Sequence, residues 1–174
     1  MPYPMKVTVS SATSSPWVPL NILATPFNVA VGCVCSSNKN FTYAVEYSHD
    51  SPNLPVACYI SASTTTATLT LTNHGLTTSD SIIVSGTGNA NVDGTFQVAS
   101  VTNQNVITYT ITSTTANFTS AKVSPMRVFV HSTITAKTAN SDGNFAFPIQ
   151  AVRLTVTPWT AGYVTMIVTQ SGIT

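Results

Sequence analysis

Apolar side chains recur at every second residue along nearly the whole chain, and nowhere at helical spacing for more than one turn. Alternation of this kind marks half-buried strands, because successive side chains of an extended backbone point to opposite faces. Val7 and Val9 alternate with Thr8 and Ser10. Phe27, Val29, Val31, Cys33 and Cys35 share one face of a second run. Phe41, Tyr43, Val45 and Tyr47 alternate with Thr42, Ala44, Glu46 and Ser48, which buries aromatic rings on one side and shows Glu46 on the other. Near the other end, Val152, Leu154 and Val156 face away from Arg153, Thr155 and Thr157, and a mostly apolar run follows over residues 163–169. The pattern predicts an all-β protein, with the last two runs as a hairpin.

Turn residues punctuate the runs at 36–40, 49–53, 140–144 and 158–162, with short strands expected at 128–131 and 145–148. The middle of the chain differs. Residues 64–120 are Thr-rich, and their only formal charges are Asp80 and Asp93. Alternating runs at 67–72, 82–84, 93–101 and 107–111, joined by short turns, predict a small self-contained unit of four strands. The low-complexity Ser/Thr stretch at 61–66 and the segment 120–125 read as its entry and exit linkers. The expected organisation is a discontinuous β-sandwich base domain, residues 1–61 plus 121–174, with an inserted Thr-rich β domain at 62–120. Insertions of this kind are tolerated where a surface loop has its ends close together. Eight outer strands suit a two-sheet β-sandwich, and a jelly roll is one arrangement open to them.

Charge constrains function. Six Lys and Arg and five Asp and Glu make up 6% of the chain, where an average soluble chain carries roughly 25%. A folded monomer of this mass exposes about 8,000 Å², so each charge has about 700 Å² to itself. Thr and Ser fill the gap, and the net charge is +1. Little self-repulsion then keeps copies apart, as suits a subunit covered by other subunits. So few cations make no nucleic-acid footprint. No apolar run reaches the ~20 residues of a membrane span, and residues 1–6 lack the pattern of a secretory signal, so assembly in a cytoplasm is expected.

Catalytic and metal constellations do not emerge. His49, His74 and His131 stand apart from one another and from any Cys pair at metal-ligand spacing. There is no Gly-x-Ser-x-Gly and no phosphate-binding Gly-rich loop. Glu46 and Asp50 are the only carboxylates close in sequence, and read as solvated groups at a strand end. Asp80 and Asp93 flank loops but fall short of the six to eight oxygens a calcium ion takes. Cys33, Cys35 and Cys58 are an odd count and read as small buried thiols, Cys33 and Cys35 lying about 6.6 Å apart on one strand face. The expectation is no enzyme, no cofactor and no metal. Candidate interface residues are the extended Pro2, Tyr3, Pro4 and Met5, the proline-flanked Trp17 and Trp159, and Arg153, the lone charge of its strand. Both Trp rings also suit capping the end of a core, and Arg153 also suits a solvent-facing site.

The middle segment resembles a small β module common in tailed-phage virion proteins. The matching residues are Asn73-His74-Gly75-Leu76, Asp80-Ser81-Ile82-Ile83-Val84-Ser85-Gly86, Asp93-Gly94-Thr95-Phe96-Gln97-Val98 and Ile107-Thr108-Tyr109-Thr110. They cover about a third of the chain, in the module's order: a His-Gly-Leu turn, an Asp-led strand ending in Ser-Gly, and a Gly-Thr-aromatic strand. The stretch 147–156 followed by 162–170 is similar to the C-terminal end of phage capsid decoration, or cement, proteins. That resemblance implies a β-sandwich or jelly-roll fold and an oligomer on the outside of a phage head.

The expected function is therefore that of a structural virion protein, assembled in a bacterial host cytoplasm, that bridges major capsid proteins and associates with itself as a dimer or trimer, with no nucleic-acid or membrane partner. Alternatives are a tail or baseplate component, and an adhesin-like or carbohydrate-binding module that stacks sugars on Trp17, Trp159 or Tyr163.

Overall fold

Burial follows the alternation. In the strand Asn28–Cys35 the buried residues are Val29, Val31 and Cys33, and in Asn40–Ser48 they include Phe41, Tyr43 and Val45. The computed structural model describes residues 4–171, which hold seventeen strands and no helix. The chain divides into two compact units, residues 1–49 with 129–174, and residues 50–128.

The first unit contributes β1 (Met5–Val9), β2 (Val18–Pro19), β3 (Asn28–Cys35) and β4 (Asn40–Ser48) before the second unit, and four strands after it. Those of the second unit are β5 (Val56–Ala57), β6 (Tyr59–Ser63), β7 (Thr66–Thr70), β8 (Ser81–Ser85), β9 (Gly94–Gln97), β10 (Ser100–Asn103), β11 (Val106–Thr110), β12 (Ala116–Phe118) and β13 (Lys122–Met126). The first unit then resumes with β14 (Phe129–Val130), β15 (Ser141–Phe145), β16 (Ala151–Ala161) and β17 (Val164–Ser171).

Within the first unit the pairing is nested. Its first strand pairs with its last (β1 with β17), its second with its seventh (β2 with β16), its third with its sixth (β3 with β15) and its fourth with its fifth (β4 with β14), all antiparallel. Two further ladders, β17 with β3 and β16 with β4, gather the nested ribbon into the sheets β1-β17-β3-β15 and β14-β4-β16-β2. That strand order is a jelly roll. Val29, Val31, Met166 and Val168 from one sheet and Tyr43, Val45, Leu154 and Val156 from the other share the core.

Three expectations fail here, the first because local sequence does not choose between sheets. The last two strands are not a hairpin, since β16 and β17 lie in different sheets. The chain crosses between them at Gly162, where φ is +92° and a Cβ would stand 2.6 Å from Ser36 Oγ and 2.9 Å from Lys39 Cα, so only glycine fits. The expected turn at 140–144 is mostly β15, while the expected strand at 145–148 ends at Phe145. Gly143 faces inward there, and a Cβ would meet His131 Cε1 at 2.7 Å.

The second unit contains more than four strands and runs wider than 62–120. The expected linkers are strand: Tyr59–Ser63 turns at Thr64 into β7, and Lys122–Met126 pairs with β8. Ser and Thr there alternate with buried Ile60, Ala62 and Val123, and Thr is itself a good strand residue. The expected strand at 93–101 bends at Val98 and Ala99 into β9 and β10.

Followed from neighbour to neighbour, the ladders close on themselves. β7 pairs with β6, the β5–β6 ribbon with β12–β13, β13 with β8, β8 with β9, β10 with β11, and β11 with β7. At the corners Cys58 N–H donates to Ala121 C=O, Val98 to Asp80 and Ala99 to Thr108, so the bonding continues through the bends. The result is a small closed barrel around Ile60, Leu69, Ile82, Ile107 and Tyr109.

Tyr47 and Phe129 are register partners, so the first unit's chain leaves and re-enters across one antiparallel pair. Replacing residues 50–128 by a short glycine-containing turn should leave the jelly roll folded. Far-UV circular dichroism and a single cooperative denaturant transition would register this; a non-cooperative product would refute it.

Candidate functional site

Register explains Arg153. On the outer face of its sheet it stands opposite Glu46 of β4. Its Nε donates to Glu46 Oε2 at 2.6 Å, and the two side chains are only 10% and 14% exposed. On the other flank Trp17, just before β2, covers the guanidinium at 4.5 Å from the ring centroid, a cation–π contact. Arg153 is therefore neither a solvent-facing strand residue nor an available interface charge. Trp17, itself buried, is not an exposed anchor or a sugar platform. Trp159 is half-buried against the core, and its Nε1 donates to Gly162 C=O at 3.0 Å. Tyr163 is exposed. Pro4 is exposed and Met5 begins edge strand β1; Pro2 and Tyr3 lie outside the described residues.

Four of the five acidic residues, Glu46, Asp50, Asp80 and Asp93, are tied into the fold by the bonds they accept. Glu46 and Asp50 do not act together, and neither is simply solvated. Asp50 accepts from Arg127 Nη1 at 2.6 Å and from Arg127 N–H at 2.8 Å. Asp80 accepts from Thr77 N–H and hydroxyl with one oxygen and from Val128 N–H with the other. Asp93 accepts from Thr87 N–H and hydroxyl. Among the described residues no three His, Cys, Asp or Glu side chains gather as a metal set.

Cys33, Cys35 and Cys58 are free thiols, the first and last buried and Cys35 half-buried. Burial pushes Cys33 from an ordinary 9.0 up to about 12, Cys35 adding to the effect, and pushes Cys58 up to about 11. Burial also raises the Tyr43 and Tyr109 hydroxyls. These groups are held neutral, which suits packing rather than nucleophilic chemistry.

The structure assembles one feature that the sequence reading missed. Tyr47 of β4, Phe129 of β14 and the Phe145–Phe147 segment leaving β15 converge at one end of the jelly roll. Tyr47 stacks on Phe129 at 5.5 Å between centroids and meets Phe145 and Phe147 at 5.2 and 5.7 Å. His49 packs on Tyr47 and Phe129, and His131 on Phe145. His131 Nδ1 accepts from Thr133 N–H, which steadies the loop beside the rings. Phe145 is buried and anchors the group. Phe129, Val130 and Phe147 are 43%, 48% and 45% exposed, forming an aromatic ledge. A concavity of about 190 Å³ opens between Tyr47, Val130, His131, Ser132, Phe145 and Phe147. Its members come from three separated segments, so the only sequence signal was the Phe-Ala-Phe-Pro run.

No protein-family model matches the chain, and no curated protein sequence matches it. Among solved structures, the phage phi92 endosialidase is similar at 24% identity over 65% of this chain, with a TM-score of 0.29. The chain spans 14% of the length of that protein.

Two predictions concern the groups that the fold encloses. Arg153→Ala removes the partner of a nearly buried carboxylate and should destabilise the protein by about 3 kcal/mol; Arg153→Met with Glu46→Leu should lose much less. Denaturant midpoints compare the two. The folded state also retains thiol protons that the unfolded chain releases, so the thiols' contribution is whole below pH 9.0 and is lost as pH rises towards about 11 for Cys58 and about 12 for Cys33. Stability should therefore fall between pH 9 and 11, and Cys33→Ala with Cys58→Ala should flatten that fall, as read from midpoints at successive pH values.

Proposed function

We propose that this chain is a non-catalytic structural protein of a tailed-phage virion, a decoration protein that attaches to the outside of the head and reinforces contacts between major capsid proteins. The observation that carries the reading is the aromatic ledge. Half-exposed Phe129, Val130 and Phe147 over a buried Phe145 offer a rigid apolar anchor on a chain that has few charges. Rings of this kind dominate protein–protein contact energy because they bury large area at small entropic cost. The jelly roll supports the reading, as an architecture found in viral capsid domains. So does the likeness of residues 73–110 to the virion β module. Many copies on a regular lattice then add weak contacts into strong attachment.

A sugar-binding reading has one observation in its favour, the ring-lined concavity, which also carries His131 and Ser132. At about 190 Å³ it holds one small ring, less than the roughly 300 Å³ of an ordinary ligand pocket.

Immunogold labelling of particles from cells infected with the phage that encodes this chain tests the assignment. Label over the heads is expected. Label along the tail moves the protein to the tail or baseplate, and unlabelled particles overturn the virion role. Phe147→Ala should weaken rebinding to stripped heads roughly thirtyfold, corresponding to about 2 kcal/mol at a hot spot. Loss of glycan-array binding in the same variant, with head binding intact, would favour the sugar reading.

A further inference from the structure

The β1-β17-β3-β15 sheet turns Val9, Val31, Met166 and Phe145 into the core, and its other face is bare. Across that face one row runs in register through all four strands: Lys6, Ile167, Gly32, Asp142. Lys6 and Asp142 are the only formal charges in these strands, and they sit on opposite edges. Three strand spacings, about 14 Å, separate them. They cannot pair within one copy, and neither has an ion pair among the described residues. Between them the row is uneven. Ile167 stands up, while over Gly32 a Cβ would meet nothing within 4 Å, leaving a dimple. The flanking rows set Thr165 beside Val34 and Thr169 beside Ala30, all small or flat.

These placements are self-complementary. Two in-plane two-fold axes are open to a pair of sheets stacked face to face. An axis across the strands would set Lys6 on the partner's Lys6. An axis along the strands sets Lys6 over the partner's Asp142, and Ile167 over the partner's Gly32, twice each. We propose that the chain forms an isologous dimer in this second way, sheet face on sheet face, with the charges fixing the choice of axis and the glycine dimple receiving the isoleucine. Sheets stacked in this way lie ≈ 10 Å apart, with strands within about 30° of each other. Strands of five, eight, eight and five residues, at about 3.4 Å per residue and about 4.8 Å between strands, make a face of roughly 420 Å². Two copies then bury roughly 850 Å², less than a standard interface, so the dimer is weak and dissociates on dilution. The pairing does not depend on the virion proposal.

Sedimentation equilibrium of the full chain tests it. The wild type should dimerise with a dissociation constant on the order of micromolar. Lys6→Asp or Asp142→Lys alone sets like charges opposite each other twice per dimer and should weaken association at least about tenfold at low salt. The double variant reverses both partners and should restore association to within about threefold. Gly32→Thr fills the dimple from a position where an added Cβ meets nothing within 4 Å. It should keep the wild-type circular dichroism and melting temperature while dissociating the dimer. A wild type that stays monomeric at hundreds of micromolar, a trimer, or a folded double variant that fails to regain association would overturn the proposal.

Discussion

A strand edge is a row of backbone donors and acceptors in want of partners, and how this chain disposes of its edges governs the rest of its architecture. The two units solve the problem differently. Residues 50–128 abolish edges by bending strands until the ladder closes, with corner bonds from Cys58, Val98 and Ala99 carrying it through. The jelly roll keeps four edges and guards each. Lys6 sits on β1 and Asp142 on β15; β2 has two residues, one of them Pro19; β14 has only two.

This changes what the scarcity of charge means. In the Thr-rich segment it does not call for a covering partner, because a closed barrel has nothing to protect from edge-to-edge pairing. Six of the eleven charged side chains are spent on contacts within the fold. Arg153 holds Glu46, Arg127 holds Asp50, and Asp80 and Asp93 cap loops. What remains outward is largely lysine, threonine and a few deliberate apolar projections. The adhesive capacity of the molecule lies in those projections rather than in a uniformly sticky surface.

Much of this was legible in the residues. Alternation located β3, β4, β7, β11 and β16, because a buried face is written into every second position. The eightfold outer count pointed to a two-sheet fold. Topology was not legible, since whether Val164 lies beside Val156 or across the core from it is decided by a two-residue crossing at Gly162 and Tyr163. The Ser/Thr stretch at 61–66 looked like a linker because small residues lack an obvious core signature, although Ala62 and Ala67 fill the barrel interior. Arg153 looked solitary because Glu46 is 107 residues away. The aromatic ledge stayed hidden for the same reason, with Tyr47 and Phe129 meeting only through register.

The nesting has a consequence for order of assembly. β1 cannot pair until β17 has been made, whereas every ladder of the barrel lies within residues 50–128 and is complete earlier. Once closed, the barrel gathers its entry and exit at the paired Val56 and Val123. The loop that must close to bring Tyr47 to Phe129 shrinks from about eighty residues to about a dozen, lowering the entropic barrier by about 2 kcal/mol. The insertion thereby shortens the chain closure that the interrupted fold requires.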